Sequence, residues 1–133
     1  MDMESTDKIK RRKDSGNFLE RYKKSFFHAL DGIKYAVKHE QNFVIIVLAI
    51  IITTILGFVF NINKYEWLFV ITSFGLVFGC ELLNSAIEAA IDLETTKTHP
   101  LAKISKDCGS GATLIFSIMA FIGALIIFIP KIF

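Results

Sequence analysis

Five polar side chains recur at helical spacing within an otherwise apolar segment, and three of them are acids. The segment reads ELLNSAIEAAID, and its polar members are Glu81, Asn84, Ser85, Glu88 and Asp92. At 100° per residue they share one helix face that extends over roughly 16 Å. An unpaired charge at bilayer depth costs at least about 2.5–3.5 kcal/mol. Inside a membrane, these acids would therefore need a partner, a proton or a metal ion.

Two kinds of role compete for this polar face. Polar residues can hold membrane helices together, and Ser85 with the neighbouring Ala86 favours that structural role. Acids within a span are by default functional, so we expect chemistry here. A proton or cation relay would need polar groups along the depth of the span. The preceding half of the segment offers only Thr72 and Ser73.

Charged residues from two other segments add to the acidic face. Glu40 precedes the first apolar segment, and Lys106-Asp107 precedes the last one. Alone, that pair would be a snorkelling lysine and a helix N-terminal acid. Two or three carboxylates suit Mg²⁺, which keeps waters and binds substrate phosphates. Together with Glu81 and Glu88, the lysine and its neighbour predict a site for a phosphate-bearing substrate.

Three apolar segments are long enough to position these residues inside a membrane. The first is uncharged for 18 residues and the last for 22, whereas the middle one begins at Trp67 and includes the acidic face. About 20 apolar residues cross a bilayer core. We predict an all-α integral membrane protein with spans over about 42–60, 66–92 and 107–129.

A basic amphipathic helix is predicted before the first span, over residues 17–39. Apolar residues recur there every three or four positions: Phe18, Tyr22, Phe26, Leu30, Ile33 and Val37. Such a helix joined to a span is typical of one that lies on the membrane surface. Residues 1–16 are polar, and we expect them to be disordered and to lack the apolar core of a signal peptide. Residues 17–133 then form a single domain.

The charge distribution predicts the topology. Of 133 residues, 53% are hydrophobic and 21% charged, yet residues 1–40 contain ten of the 15 Lys and Arg. This pattern excludes a disordered chain and argues against a soluble nucleic-acid-binding protein. Because basic loops face the cytoplasm, the N-terminus and the loop over 93–106 should lie there. The acids of the middle span would then be on the side that supplies ATP.

Other potential motifs predict no further chemistry. Cys80 and Cys108 lie in apolar stretches without zinc-ligand spacing and are expected to be small buried hydrophobes. The sequence Gly109-Ser110-Gly111 lacks the strand and the lysine of a P-loop. We expect the small residues over 109–112 to allow a close approach between helices.

The acidic segment from Glu81 to Asp92, followed by Ala102-Lys-Ile-Ser-Lys106-Asp107, resembles the signature of the small prokaryotic diacylglycerol kinase family. That family includes the undecaprenol kinases of Gram-positive bacteria, and the resemblance extends over residues 18–133. It implies a homotrimeric, three-span kinase of the bacterial cell membrane, unrelated to P-loop kinases. Such an enzyme would transfer the γ-phosphoryl group of Mg-ATP to a lipid alcohol at the cytoplasmic interface.

The resemblance also implies a role for each matching residue. Glu81 matches the position of the family's general base. Glu40 and Glu88 match the positions of its metal ligands. Asn84 and Ser110 match positions beside the lipid substrate, and Asp92 matches a supporting position. The nucleotide contacts would be Arg21, His28, Glu40, Glu88, Thr98, His99, Lys106 and Asp107. His28 stands where some members have tyrosine, which weakens its match.

The identity of the lipid is an expectation from resemblance alone. The loop from His99 to Lys103 and the ending Ile129-Pro130-Lys131 are more similar to the undecaprenol kinases. We therefore expect undecaprenol, with diacylglycerol as the alternative. A non-enzymatic membrane oligomer or an ion relay stays open as a function of another class.

Overall fold

The computed structural model describes residues 18–94 and 99–133, and almost all of them are helical. The four helices are α1 (Phe18–His39), α2 (Asn42–Val59), α3 (Lys64–Glu94) and α4 (Pro100–Ile132). The all-α prediction is confirmed. Residues up to Tyr35 belong to one compact unit, and Ala36–Phe133 form a second. The predictions for residues 1–16 and for Thr98 lie outside the described residues.

Several of the predicted apolar residues of α1 are exposed, among them Phe18, Tyr22 and Phe26. The Phe18 and Tyr22 rings lie 4.6 Å apart, one helical turn from each other, so they contact along the helix surface. Placement of this helix on a membrane surface stays a prediction.

Helices α2, α3 and α4 are each long and apolar enough to cross a membrane, in agreement with the three predicted segments. Their most apolar windows have mean hydropathies of 2.7, 1.6 and 2.7, and little of each window is buried within a single chain. These helices therefore present wide apolar faces outward, where lipid or other protein must cover them.

The first turn of α3 is fixed by a capping box. The Asn63 side-chain oxygen accepts from the Tyr65 and Glu66 backbone N–H groups at 2.9 and 3.1 Å, and the Asn63 N–H donates to Glu66 Oε2 at 2.6 Å. Asn61 supplies the left-handed turn before it, with φ of 47°. Asparagine tolerates this conformation better than most residues, which allows the chain to reverse direction within the four residues between α2 and α3.

The start of α4 differs from the sequence prediction. The helix begins at Pro100 rather than near residue 107, because His99 acts as its N-cap and accepts from the Leu101 N–H at 3.2 Å. Proline suits the first helical position since its missing N–H would have no helical partner. Residues 100–106, predicted as loop, therefore form two turns of helix that carry Lys103 and Lys106.

Helices α3 and α4 pair antiparallel over most of their lengths. At one end Lys131 forms an ion pair with Glu66 at 3.2 Å, and at the other Lys106 does so with Asp92 at 2.6 Å. Between them the packing is tightest at two glycines: a Cβ on Gly123 would collide with the Phe69 ring, and one on Gly109 with the Asn84 side chain.

Candidate functional site

Glu81 is the most deeply buried charged residue in the described part of the chain. It lies near the middle of α3 with only 1% of its surface exposed, and its Oε1 atom has no hydrogen-bond partner. Burying a carboxylate oxygen without a partner is strongly unfavourable unless something else compensates. The structural-glue hypothesis predicts a partner for this oxygen within the bundle, and none is present among the described residues.

Asn84, one turn further along α3, connects the polar face to Glu88 and to α4. Its amide Nδ2 donates to Glu88 Oε1 at 3.0 Å, and its Oδ1 accepts from the Ser110 hydroxyl at 3.5 Å. The side chain is only 4% exposed, and it lies against Gly109. A residue larger than glycine there would displace the amide. The predicted close helix approach is confirmed at Gly109, whereas nothing lies within 4 Å of a Cβ on Gly111.

Glu81 and Asn84 line a cavity of about 250 Å³ between the three apolar helices. One wall is polar and the other apolar. The remaining lining residues are Asn42, Ile45, Ile46, Ser110, Thr113, Leu114 and Ser117. An apolar cavity of about 290 Å³ shares Ile45, Ile46 and Ser117 with it and extends toward Phe69 and Phe121. The buried carboxylate thus lies at the polar end of a mainly apolar space.

Helical geometry explains the gradient of burial along the acidic face. Glu81, Asn84 and Ser85 are buried, Glu88 is half-buried and Asp92 is exposed. The face therefore leads from the protein interior to the exterior as α3 approaches its C-terminal end. Among the described residues, the basic side chain that pairs with an acid of this face is Lys106, at that outer end.

The first turns of α4 carry two ion pairs that the sequence did not predict. Lys106 binds Asp92, and Lys103 binds Asp107 one turn along the same helix at 2.6 Å. Lys103 and Asp107 are largely exposed. Both lysines lie near the end of α3. Because this region is close to solvent, binding a phosphate there would remove little water from the charged groups.

The remaining predicted residues lie at several places. Glu40 is half-buried at the junction of α1 and α2, where its N–H donates to the Ala36 carbonyl at 2.9 Å. His99 is the exposed cap of α4. Arg21 and His28 belong to the other compact unit, so their relation to Glu81 is not described.

Magnesium was expected from the donor types, and the donors present suit it. Mg²⁺ is held by one or two protein carboxylates together with waters and substrate phosphates. Among residues 18–94 and 99–133, no three His, Cys, Asp or Glu side chains cluster as a preformed metal site. Glu88 accepts from Asn84, and such a neighbouring donor is what orients a ligating carboxylate. The donor set therefore fits a Mg²⁺ ion that takes most of its ligands from the substrate phosphates and water.

Three apolar helices around a buried carboxylate define a small helical membrane protein with a polar site, and the comparisons specify its family. Residues 27–128 match the prokaryotic diacylglycerol kinase family. The chain is 42% identical over 119 residues to the undecaprenol kinase of Bacillus subtilis (strain 168), covering 90% of this chain and 97% of that protein. It is 38% identical over 92 residues to the diacylglycerol kinase of Helicobacter pylori (strain J99), covering 69% and 72%. The diacylglycerol kinase of Escherichia coli (strain K12) is 33% identical over 91 residues, covering 68% and 75%.

The chain belongs to the prokaryotic diacylglycerol kinase family. It is therefore an enzyme, a lipid kinase, and the resemblance inferred from the acidic segment is confirmed. Arg21 precedes the residues that match the family model, and its assignment stays a prediction.

Sequence reasoning missed three polar members of the cavity, Asn42, Thr113 and Ser117. Thr113 follows Ser110 by three residues on α4, and its buried hydroxyl has no partner. The signal was present, because Ser110, Thr113 and Ser117 recur at helical spacing within an apolar helix. Only the structure shows that this row of hydroxyls meets the face that carries Glu81.

Proposed function

We propose that this kinase transfers the γ-phosphoryl group of ATP to undecaprenol at the cytoplasmic face of the bacterial cell membrane. The unpartnered Glu81 carboxylate in a cavity with an apolar extension carries the chemical part of the proposal. Undecaprenol is supported by the 42% identity to an undecaprenol kinase over nearly the whole chain. Diacylglycerol is the second candidate because several relatives carry that name.

Glu81 acts as the general base in this proposal. The lipid alcohol donates its hydroxyl hydrogen to Glu81 Oε1, which lacks any other donor. As the oxygen attacks the γ-phosphorus, its O–H bond breaks and the proton passes to the carboxylate. The bond between the γ-phosphorus and the bridging oxygen breaks, and ADP leaves with the electron pair. Glu81 then releases the proton to water before the next turnover.

Positioning accounts for most of the expected rate enhancement. Phosphoryl transfer needs little covalent help from the protein, so alignment and charge neutralisation dominate. The lipid chain would occupy the apolar extension of the cavity and hold its alcohol at the depth of Glu81. Asn84 and Ser110, which already share a hydrogen bond, would fix the polar end of the lipid.

The nucleotide phosphates would bind toward the exposed end of the acidic face. Glu88 and Glu40 would hold Mg²⁺, which neutralises phosphate charge when it is bound. Lys106 and Asp107 at the start of α4 would contact the nucleotide, together with His99, Thr98, Arg21 and His28. In this arrangement Asp92 orients Lys106 through their 2.6 Å ion pair.

The proposed assembly is a homotrimer with the N-terminus in the cytoplasm. Wide apolar faces on α2, α3 and α4 leave room for contacts between copies within the membrane. The basic residues of the N-terminal segment and of residues 93–106 support the orientation. Crosslinking in mild detergent should give dimers and trimers, and a monomer-only pattern would contradict the trimer.

The decisive experiment offers both lipids to the purified protein. We expect the reconstituted enzyme with Mg-ATP to phosphorylate undecaprenol with higher kcat/KM than diacylglycerol, measured by transfer of labelled phosphate into extracted lipid. A preference for diacylglycerol would overturn the proposed substrate but not the reaction. Labelling of neither lipid would overturn the proposed reaction.

A further inference from the structure

Two buried side-chain atoms of the described residues lack a hydrogen-bond partner, and their residues line the same cavity. They are Glu81 Oε1 and Thr113 Oγ1. One belongs to α3 and the other to α4, so the pairing of these helices brings both residues to one cavity. Buried polar groups are nearly always paired, and two unpaired atoms at one cavity therefore indicate a common missing partner.

The conformation of Thr113 is itself informative. A buried hydroxyl on a helix usually donates back to the carbonyl four residues earlier. Ser85 does this with the Glu81 carbonyl at 3.0 Å, and Ser110 with the Lys106 carbonyl at 3.1 Å. Thr113, on the same helix as Ser110, makes no such bond. Its hydroxyl hydrogen is therefore available to an acceptor outside its own helix.

The two unpaired atoms have complementary hydrogen-bonding character. An ionised carboxylate only accepts, whereas a threonine hydroxyl can donate. An alcohol needs both partners, because its O–H donates while its oxygen accepts. The apolar lining residues around them, Ile45, Ile46 and Leu114, match the hydrocarbon that would follow such an alcohol.

We propose that Thr113 is a substrate-binding residue whose hydroxyl donates to the oxygen of the lipid alcohol while Glu81 accepts its proton. This inference rests on the proposed kinase reaction and adds a contact on the attacking oxygen. The bond holds that oxygen so that its hydrogen is directed at Glu81 and a remaining lone pair at the phosphorus. The site thereby selects an alcohol over a hydrocarbon of the same shape, because loss of the hydroxyl leaves both buried groups unpaired.

Substitutions that separate the hydroxyl from the shape of the side chain test this role. Thr113→Val keeps the branched shape and removes the hydroxyl, Thr113→Ala removes both, and Thr113→Ser keeps the hydroxyl. Thr72→Val is the matched control, since Thr72 is an exposed residue of α3. We expect the valine and alanine variants to lose about tenfold in kcat/KM for the lipid alcohol, the size of one hydrogen bond. The serine variant should keep most of the wild-type value.

The readouts distinguish binding of the alcohol from a general structural role. The KM for ATP should stay within twofold in every variant. In competition experiments, the wild type should bind the lipid alcohol more tightly than the hydrocarbon analogue that lacks the hydroxyl. This difference in affinity should be smaller in the valine variant. Equal kcat/KM in wild type and both hydroxyl-free variants would overturn the inference. So would a serine variant as impaired as valine, or equal losses toward ATP and lipid. If the wild type phosphorylates no lipid, the proposed kinase function is overturned. That result comes from the wild type alone and is therefore distinct from a failure of the role of Thr113.

Discussion

Glu66 and Glu81 lie on the same helix, 15 residues apart, and show how differently one residue type can be used. Glu66 accepts from the Asn63 N–H and pairs with Lys131, so its carboxylate is satisfied at the turn between α2 and α3. Glu81 is buried more completely, and its Oε1 has no partner in the described structure. The first arrangement stabilises the fold, whereas the second leaves a carboxylate oxygen for a ligand.

The contrast extends to the helix pairs around the two glutamates. Near Glu66, α3 and α4 enclose an apolar cluster of Ile62, Val70, Ile127 and Phe128. Near Glu81 they share with α2 a cavity whose lining includes two unpaired polar atoms. In a membrane protein an acid can thus stabilise the fold only where hydrogen-bond donors or cations surround it. Unpaired acids, by contrast, indicate where substrates bind.

The largest difference between the two glutamates should appear in catalysis. We expect Glu81→Gln to lower kcat by about 10³-fold or more, because the amide cannot accept the alcohol proton. Measurement is by phosphate transfer to lipid in reconstituted membranes. Glu66→Gln is the matched control, and it should retain activity within about twofold. Similar losses in both variants, with both proteins inserted and oligomeric, would remove the functional distinction.

The next largest effect concerns the acid one turn beyond Asn84. Glu88→Gln should lower turnover by about 10²-fold at limiting magnesium, and excess magnesium should restore part of it, because a neutral amide is a weaker ligand. Turnover measured across a magnesium titration gives the result. A magnesium dependence identical to that of the wild type would contradict the role of Glu88 as a metal ligand.

A smaller effect is expected where the helices are closest. Gly109→Ala should displace Asn84, and we expect this misplacement to lower activity by about tenfold. Gly111→Ala has open space and serves as the control. Activity per folded enzyme and thermal unfolding in detergent should be measured together. A Gly109→Ala variant with wild-type activity would show that the Asn84 position is unimportant.

The smallest effect is expected for the Lys131–Glu66 ion pair. Lys131→Met removes the ion-pair partner of Glu66, and we expect it to lower the free energy of unfolding only slightly. Lipid phosphorylation should change less than twofold. Unfolding in detergent followed by circular dichroism measures the first quantity. A loss of activity larger than the loss of folded protein would place this end of the helix pair in the mechanism.

Local pattern was enough to predict the helices and the shared face of the acids. Uncharged runs predicted α2, α3 and α4 because span length follows from bilayer thickness. The helical period placed Glu81, Asn84 and Glu88 together because they belong to one helix. The early start of α4 was missed because it depends on His99 as the N-cap of the helix. The dipeptide His99-Pro100 is equally compatible with a turn.

Features that depend on the pairing of two helices were less accessible. The Lys106–Asp92 ion pair and the contact of Gly109 with Asn84 require the antiparallel register of α3 and α4. The unpaired hydroxyl of Thr113 could not be anticipated at all, because an absent hydrogen bond has no sequence signal. The roles of Arg21, His28 and Thr98 stay predictions for the same reason, since contacts between separate segments decide them.

The Lys131–Glu66 ion pair has a consequence for the height of the reaction in the membrane. It ties α4 to one end of α3, and at about 1.5 Å per residue Glu81 then lies roughly 22 Å along the helix from that tie. The two helices cannot slide past each other without breaking the ion pair and the glycine contacts. Helix length therefore sets the distance between this ion pair and the Glu81 carboxylate. In the proposed reaction, a thinner or thicker bilayer would require the protein to tilt, or the lipid to deform, before the alcohol reaches Glu81.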